Sequence, residues 1–209
     1  MLQNPRRTVT LTEKLDLFTA DGERKYLTHD ERQNFMAAAM ELKDRHRRTF
    51  CLTLAHSGCR ISEGLALSFN RIDMSGGQLV FQSLKKRNGK KQQRAVPVPP
   101  SYLQTLDLVH NVRAVQKQPR KRTAPLWPIA RMTGYRWICE TMQAAGVAGA
   151  MAHPHSLRHA FGVQALMKDI PLPLLQRWMG HADLETTAIY LQVIGNEEKS
   201  FAGRMWEDD

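Results

Sequence analysis

The stretch QLVFQSLKKRNGKKQQRAVPV, Gln78 to Val98, decides the fold class. Its first part, QLVFQSL (Gln78–Leu84), is strand-like and follows the turn residues Ser75, Gly76 and Gly77. Its last part, RAVPV (Arg94–Val98), is a second strand-like run. Between them lies Asn88-Gly89, a pair that tolerates the positive φ angles of a tight hairpin turn. The spacing therefore predicts a small antiparallel sheet whose turn carries Lys85, Lys86, Arg87, Lys90 and Lys91, with Arg94 opening the second strand.

Outside this stretch the apolar residues recur at helical spacing. Upstream, Thr28-His-Asp-Glu31 reads as a capping box that opens a helix through FMAAAMELK. A second helix is predicted over about residues 47–56, stopping near Gly58, and a third opens at Arg60 with Leu65 and Leu67 inward. Downstream, Pro99-Pro100 ends the sheet and starts a helix over about 101–115. Residues 116–128 are basic and contain proline, so they read as a loop. Further helices are expected over 135–145 (ended by Gly146), 155–168, 172–179 and 184–193. The class is mainly α with a small antiparallel β-sheet, an α+β fold. Residues 1–27 read as a tail or lead-in, 28–193 as the folded domain and 194–209 as a C-terminal tail.

A chain of 209 residues that is 42% hydrophobic can bury a core. It has no apolar run of membrane-spanning length and no signal-like apolar segment in MLQNPRRTVT, so a cytoplasmic protein is expected. Cys51, Cys59 and Cys139 are odd in number and unpaired in spacing, which fits free thiols in a reducing compartment. Lys and Arg number 30 against 20 Asp and Glu, a net charge of +10. The excess clusters at Lys85–Arg94 and at Arg120, Lys121 and Arg122, the footprint of a polyanion binder. Nucleic acid is favoured over a membrane, because neither end shows a basic amphipathic helix.

The candidate chemistry is spread along the chain. HPHSLRH places His153, His155, Arg158 and His159 within one helix start after Pro154. His155 and Arg158 share a face, three residues apart. His155 and His159 have the spacing of a zinc-binding helix, but Ser156 stands where such a helix has its glutamate, and no cysteine or acidic third ligand is near. A metal site is therefore not expected. SGCRISE supplies Arg60 and Glu63; the first hairpin strand ends on Lys85; Gly180-His181 closes a short helix; Tyr190 follows in HADLETTAIY. Two arginines, a lysine, two histidines and a tyrosine suit attack by a phenol on a phosphodiester. No Walker loop, carboxylate cluster or glycine-rich cradle is present, so cations of the chain itself must offset the phosphate charge.

These boxes resemble the catalytic domain of the tyrosine recombinases, the phage integrase and Xer family. The resemblance covers Thr28 to about Val193, with all five boxes in order: Arg60 with Glu63, the hairpin lysine, His155 with Arg158, Gly180-His181, and Tyr190. Most members carry an N-terminal helical domain before this one; here only residues 1–27 precede it, like the minimal fimbrial-switch recombinases. The resemblance implies double-stranded DNA as substrate, cleaved and rejoined through a 3′-phosphotyrosyl intermediate, without metal or ATP. It implies Tyr190 as nucleophile and His155 as the base in cleavage and the acid in religation. Arg60 and Arg158 would clamp the non-bridging oxygens, Lys85 would protonate the 5′-oxygen, and His181 would donate to the phosphate. Glu63 would orient the arginine box. Lys86 and Lys90 remain alternatives to Lys85. Lys86, Arg87, Lys90, Lys91, Arg94, Arg120, Lys121 and Arg122 are candidate DNA contacts. A homotetramer on DNA is implied, with accessory DNA-bending proteins as candidates and residues 194–209 docking on a neighbour. His153 and His159 are read as bystanders or support. The alternatives are a type IB topoisomerase, a non-catalytic DNA-binding protein of the same fold and, least favoured, a metal-dependent hydrolase.

Overall fold

The computed structural model describes residues 17–19, 22–87 and 90–191, except for the side chains of 84–87, 90, 91 and 150. Helix α1 spans His29–Met40 and opens as the sequence predicts. Thr28 Oγ1 accepts from the Glu31 N–H at 3.2 Å, and the Glu31 carboxylate accepts from the Thr28 N–H at 2.8 Å. Arg24 reaches back to the same carboxylate, tying the preceding segment to the helix start.

Helix α2, Arg45–Ser57, is the central element. It packs against α1 and against three helices that follow later in the chain: α4 (Pro100–His110), α6 (Arg131–Ala144) and α7 (Pro154–Met167). Phe50, Cys51, Leu52, Leu54 and Ala55 are buried, but so are Thr49, Thr53 and Ser57. A buried hydroxyl needs a partner. Thr49, Thr53 and Ser57 each donate to the carbonyl four residues back, at 3.0, 2.9 and 2.6 Å. Thr49 also accepts from Trp127 Nε1 at 3.2 Å. The helix is thus buried nearly all round with modest hydropathy. It ends at Gly58, whose φ of 58° is left-handed and whose missing side chain leaves room for Phe161.

Helix α3, Ile61–Leu65, and the strand β1, Ile72–Asp73, lead into the hairpin. Strands β2 (Gln78–Arg87) and β3 (Lys90–Pro97) pair antiparallel, and the sheet order is β1-β2-β3. The pairing runs beyond the expected ends, because Lys86 pairs with Lys91 and Arg87 with Lys90 past an irregularity between Gln82 and Lys86. The Asn88-Gly89 turn lies outside the described residues.

Three helix boundaries differ from expectation. The helix expected over 101–115 is two, α4 and α5 (Val112–Gln116), because Asn111 adopts φ 52° between them. Asparagine tolerates that conformation better than most residues, and the break carries no glycine or proline signal. Helix α6 begins four residues before the predicted Tyr135, since Gly134 is helical and meets the Phe50 ring closely. After α8, Leu172–Met179, the last described helix α9 covers only Glu185–Ala188 before a 3₁₀ turn. Met40, the last residue of α1, is half exposed.

The lead-in also contributes to the fold. Leu17 and Leu27 are fully buried, and Phe18 pairs with Arg24 in an isolated bridge. Leu17 joins Val163, Leu166, Leu175, Met179 and Tyr190 in a second apolar cluster beside the main core. Among the described residues no helix is long and apolar enough to cross a membrane.

Candidate active site

The site forms where the end of α2, the start of α7, the end of α8 and the turn after α9 meet. Arg60 is the N-cap of α3, just beyond Gly58. Its backbone N–H donates to Glu63 Oε2 at 2.9 Å and its Nη1 to Oε1 at 3.2 Å, while half of its side chain stays exposed. Glu63 is buried. Burial would raise its carboxyl, but hydrogen bonds and charge from Arg94, the Arg60 N–H and the Arg60 charge outweigh that and hold it below the usual range.

Helix α7 carries the histidine box. His153, read as a bystander, is its N-cap: Nδ1 accepts from the His155 and Ser156 N–H groups at 3.2 and 3.3 Å. Pro154 occupies the first turn, where its missing N–H costs nothing. One turn on, Arg158 is buried at 3% exposure. Its Nη1 donates to the Gly58 carbonyl at 2.6 Å and its Nη2 to the Met179 carbonyl at 2.7 Å, spanning from α2 to α8. Among the described residues no carboxylate pairs with it. Burial first, then the Arg60 charge, pushes its pKa down to about 10. A buried cation is costly unless an anion or hydrogen-bond acceptors answer it, and here two carbonyls do so.

His155 presents surface to solvent, yet protein crowds most of its ring. That crowding first, then Arg158, His153, Arg60 and Lys25, pushes its pKa down to about 4. It is neutral at pH 7 and able to accept a proton. Its ring meets His159 edge-on, with centroids 4.3 Å apart. Gly180 ends α8 with φ 64°, and His181 follows, fixed by a 2.9 Å contact between Nδ1 and Thr187 Oγ1. Burial first, then Arg158 and Arg60, brings His181 down to about 3.

Tyr190 lies stacked near His181, ring centroids 6.4 Å apart and planes 13° apart. It is only 1% exposed. Its ring fills the space left by Gly162 on α7, where a Cβ would fall 2.5 Å from Tyr190 Cζ. Its hydroxyl lies 3.2 Å from His159 Nδ1. His159 is buried, with no partner for Nε2 among the described residues, and burial and the neighbouring His155 and Arg158 hold its ring neutral. A neutral imidazole accepts from the phenol or donates to it according to which ring nitrogen carries the proton. Burial raises Tyr190 to about 12 despite the opposing charges of Arg158 and Arg60.

The structure therefore brings Arg60, Glu63, His155, Arg158, His181 and Tyr190 together. The side chains of Lys85, Lys86, Arg87, Lys90 and Lys91 lie outside the described residues, as does the tail over 194–209. Arg120, Lys121 and Arg122 are exposed on the loop after α5, which is anchored where the Asn70 N–H donates to the Arg122 carbonyl at 2.8 Å. Arg94 departs from the expected DNA-facing role. It is 8% exposed and its guanidinium grips Glu63, because β3 points this residue into the protein.

Sequence reasoning undervalued His159. It stands four residues from His155 on the same face, a spacing that reads as a metal pair or as support, whereas its contact is with Tyr190. Among the described residues no group of three or more His, Cys, Asp or Glu side chains is placed to hold a metal ion. Gly162 and Thr187, which seat Tyr190 and His181, carried no motif signal.

Comparison with known proteins adds a lineage. The model of the phage integrase family matches residues 25–197. A resolvase of Escherichia coli (strain K12) is 27% identical over 198 residues, covering 80% of this chain and 74% of its own. A tyrosine recombinase of Thermosipho africanus (strain TCF52B) is 29% identical over 178 residues, covering 83% of this chain and 59% of its own. The crystal structure of XerH site-specific recombinase bound to difH substrate superposes with a TM-score of 0.69 at 20% identity, covering 88% of this chain and 55% of that one. The chain thus spans between about half and three quarters of these relatives' lengths.

Proposed function

The chain belongs to the phage integrase family and carries a tyrosine recombinase catalytic domain, and we propose from that premise that it cleaves and rejoins duplex DNA through a covalent 3′-phosphotyrosyl intermediate. The observation that supports this reading best is the gathering of Arg60, Arg158 and His181 around the buried phenol of Tyr190, with His155 beside them against His159.

In this reading Arg158, held by two carbonyls, takes a scissile-phosphate oxygen, and Arg60 takes the other from its exposed position. Their planar donor forks offset the charge that grows on the phosphorus oxygens as the phenol adds. The neutral ring of His155 receives the phenolic proton, and the P–O5′ bond breaks as the P–O(Tyr) bond forms. The 5′-oxygen leaves as a hydroxyl, with Lys85 as the proposed proton donor. Reversal by another 5′-hydroxyl regenerates the phenol. The bond energy stays in the phosphotyrosine, so no nucleotide is consumed and no metal is assigned. Recombination is proposed to engage four protomers on DNA.

The described position of Tyr190 is a resting one. A phenol at 1% exposure cannot meet a duplex phosphate in line, so DNA binding must draw it out of the seat formed by Gly162 and His159. Giving up a buried aromatic side chain costs roughly 1.5–3 kcal/mol and the hydrogen bond about 1 kcal/mol more. The +10 net charge supports phosphate binding as the source of that energy.

The burial of Tyr190 also favours a second reading, a non-catalytic DNA-binding protein with a locked phenol. Incubation with a nicked suicide duplex separates the two. The catalytic reading expects a denaturation-resistant adduct from wild type, insensitive to EDTA, and none from Tyr190→Phe. Absence of the wild-type adduct, with DNA still bound, leaves the second reading.

A further inference from the structure

We propose that Arg94 is a positioning residue: by answering the charge of Glu63 from inside the protein, it leaves the Arg60 guanidinium available to the scissile phosphate and seats the Gly180-His181 turn. The inference rests on the reading of the site as a phosphodiester-cleaving centre and deepens it.

Arg94 lies on β3 opposite Phe81 of β2, with its guanidinium 5.3 Å from the Phe81 ring centroid. Its Nη1 and Nη2 donate to the two Glu63 oxygens at 3.0 and 2.6 Å, a fork on a carboxylate that is itself 3% exposed. Its Nε donates to the Trp178 carbonyl at 2.7 Å, in the last turn of α8. It also lies flush against Gly180, where a Cβ would come within 3.0 Å of Arg94 Cδ, Nε and Nη1. One side chain therefore joins the hairpin, the arginine box and the residue before His181. Nothing in that arrangement faces outward to DNA.

The charges give the arrangement a purpose. Two arginines share one buried carboxylate, unequally. Arg94 takes both oxygens at short range, whereas the Arg60 side chain makes a single 3.2 Å contact and remains 49% exposed. Arg60 is thus oriented by Glu63 but not consumed by it. Without Arg94, a buried carboxylate would keep Arg60 as its cation and draw it inward, since an unpaired buried charge is strongly disfavoured. The Trp178 carbonyl would lose its donor in the same step, and the turn that carries His181 would lose its support. Lysine cannot substitute, because one ammonium does not reproduce a planar fork on two oxygens plus a separate carbonyl bond.

The test compares wild type, Arg94→Lys and the double variant Glu63→Gln/Arg94→Gln on two nicked suicide duplexes, one with an ordinary scissile phosphate and one with a methylphosphonate there. The methylphosphonate is uncharged and asks less of Arg60. For Arg94→Lys, adduct formation on the phosphate is expected to fall roughly 10²-fold, the scale of an ångström-level misplacement of a catalytic group. The deficit should shrink at least about tenfold on the methylphosphonate, while duplex binding stays near wild type. The double variant, which removes the buried charge together with its partner and so no longer draws Arg60 inward, should cleave the phosphate at least about tenfold faster than Arg60→Ala. The proposal is overturned if Arg94→Lys cleaves both substrates at the wild-type rate, or loses equally on both, which marks a general structural defect. If Arg94→Lys does not fold, the double variant decides: cleavage as poor as that of Arg60→Ala overturns the proposal. Absence of any wild-type adduct on the phosphate would instead refute the reading of the site itself.

Discussion

Replacing Gly162 with alanine tests whether the pocket around Tyr190 is a resting seat. A Cβ at this position on α7 would lie 2.5 Å from Tyr190 Cζ and 2.7 Å from both Cε atoms, nearer than carbon atoms approach. Gly162 is in the middle of α7, so the helix backbone cannot yield without losing its own bonds, and the ring is what must move. Overpacking of this kind costs about 1–3 kcal/mol. That cost falls on the seated state and not on a state with the phenol withdrawn. The ratio of withdrawn to seated phenol should therefore rise roughly 5- to 150-fold. Single-turnover adduct formation on a nicked suicide duplex, at saturating protein, reads the consequence. The expected outcome is faster adduct formation, up to that factor or until binding limits the rate, together with a lower melting temperature. Near-UV titration should also show the Tyr190 phenol moving down from about 12 towards an ordinary tyrosine, with Tyr190→Phe as the blank. A folded, DNA-binding Gly162→Ala protein that has lost cleavage would refute the reasoning, because the seat would then be the reactive position.

Four further outcomes follow from the same contacts. Acid should unfold the protein early: His110 and His159 are buried and held neutral, with His110 down at about 4, against an ordinary value near 6.5. Their folded pKa is depressed, so the unfolded chain binds the protons first. Stability is complete above about pH 6.5 and lost as pH falls towards 4, by about 1.4 kcal/mol per pH unit per histidine; denaturant midpoints for wild type and His159→Gln should diverge over that window. Gly58→Ala, at φ 58° and 2.5 Å from Phe161, should cost about 2–4 kcal/mol in urea unfolding, from the left-handed backbone plus overpacking. Thr28→Ala removes one half of the capping box and should cost about 1 kcal/mol, read in the same assay. Leu17→Ala, in the lead-in, should cost about 2–4 kcal/mol if that segment packs as described, and nothing if it is a free tail.

Elements whose cause is local were legible in the sequence. The Thr28–Glu31 box, the Gly58 and Gly180 stops, the hairpin and the bounds of α8 all follow from caps, turns and periodicity. The five boxes proposed to carry the chemistry can be read there too, because each is a short run in a fixed order. Features that depend on distant parts of the chain were not. Asn111 breaks a helix with no glycine or proline to announce it, and Gly134 sits inside a helix because it meets Phe50. Arg94 looks from its neighbours like one more DNA-facing cation; only its burial against Glu63, 31 residues away, changes that reading. His159 was visible as a histidine, but its partner is Tyr190, and a contact 31 residues apart has no local signature.

The measurement that tests the central claim most directly is the identity of the covalent bond. Wild-type protein reacted with a nicked suicide duplex, digested with protease and nuclease, should yield one modified peptide in the mass spectrum, carrying a 3′-nucleotide on the oxygen of Tyr190. A modified peptide from any other residue, or a nucleotide joined through its 5′-phosphate, would contradict the account.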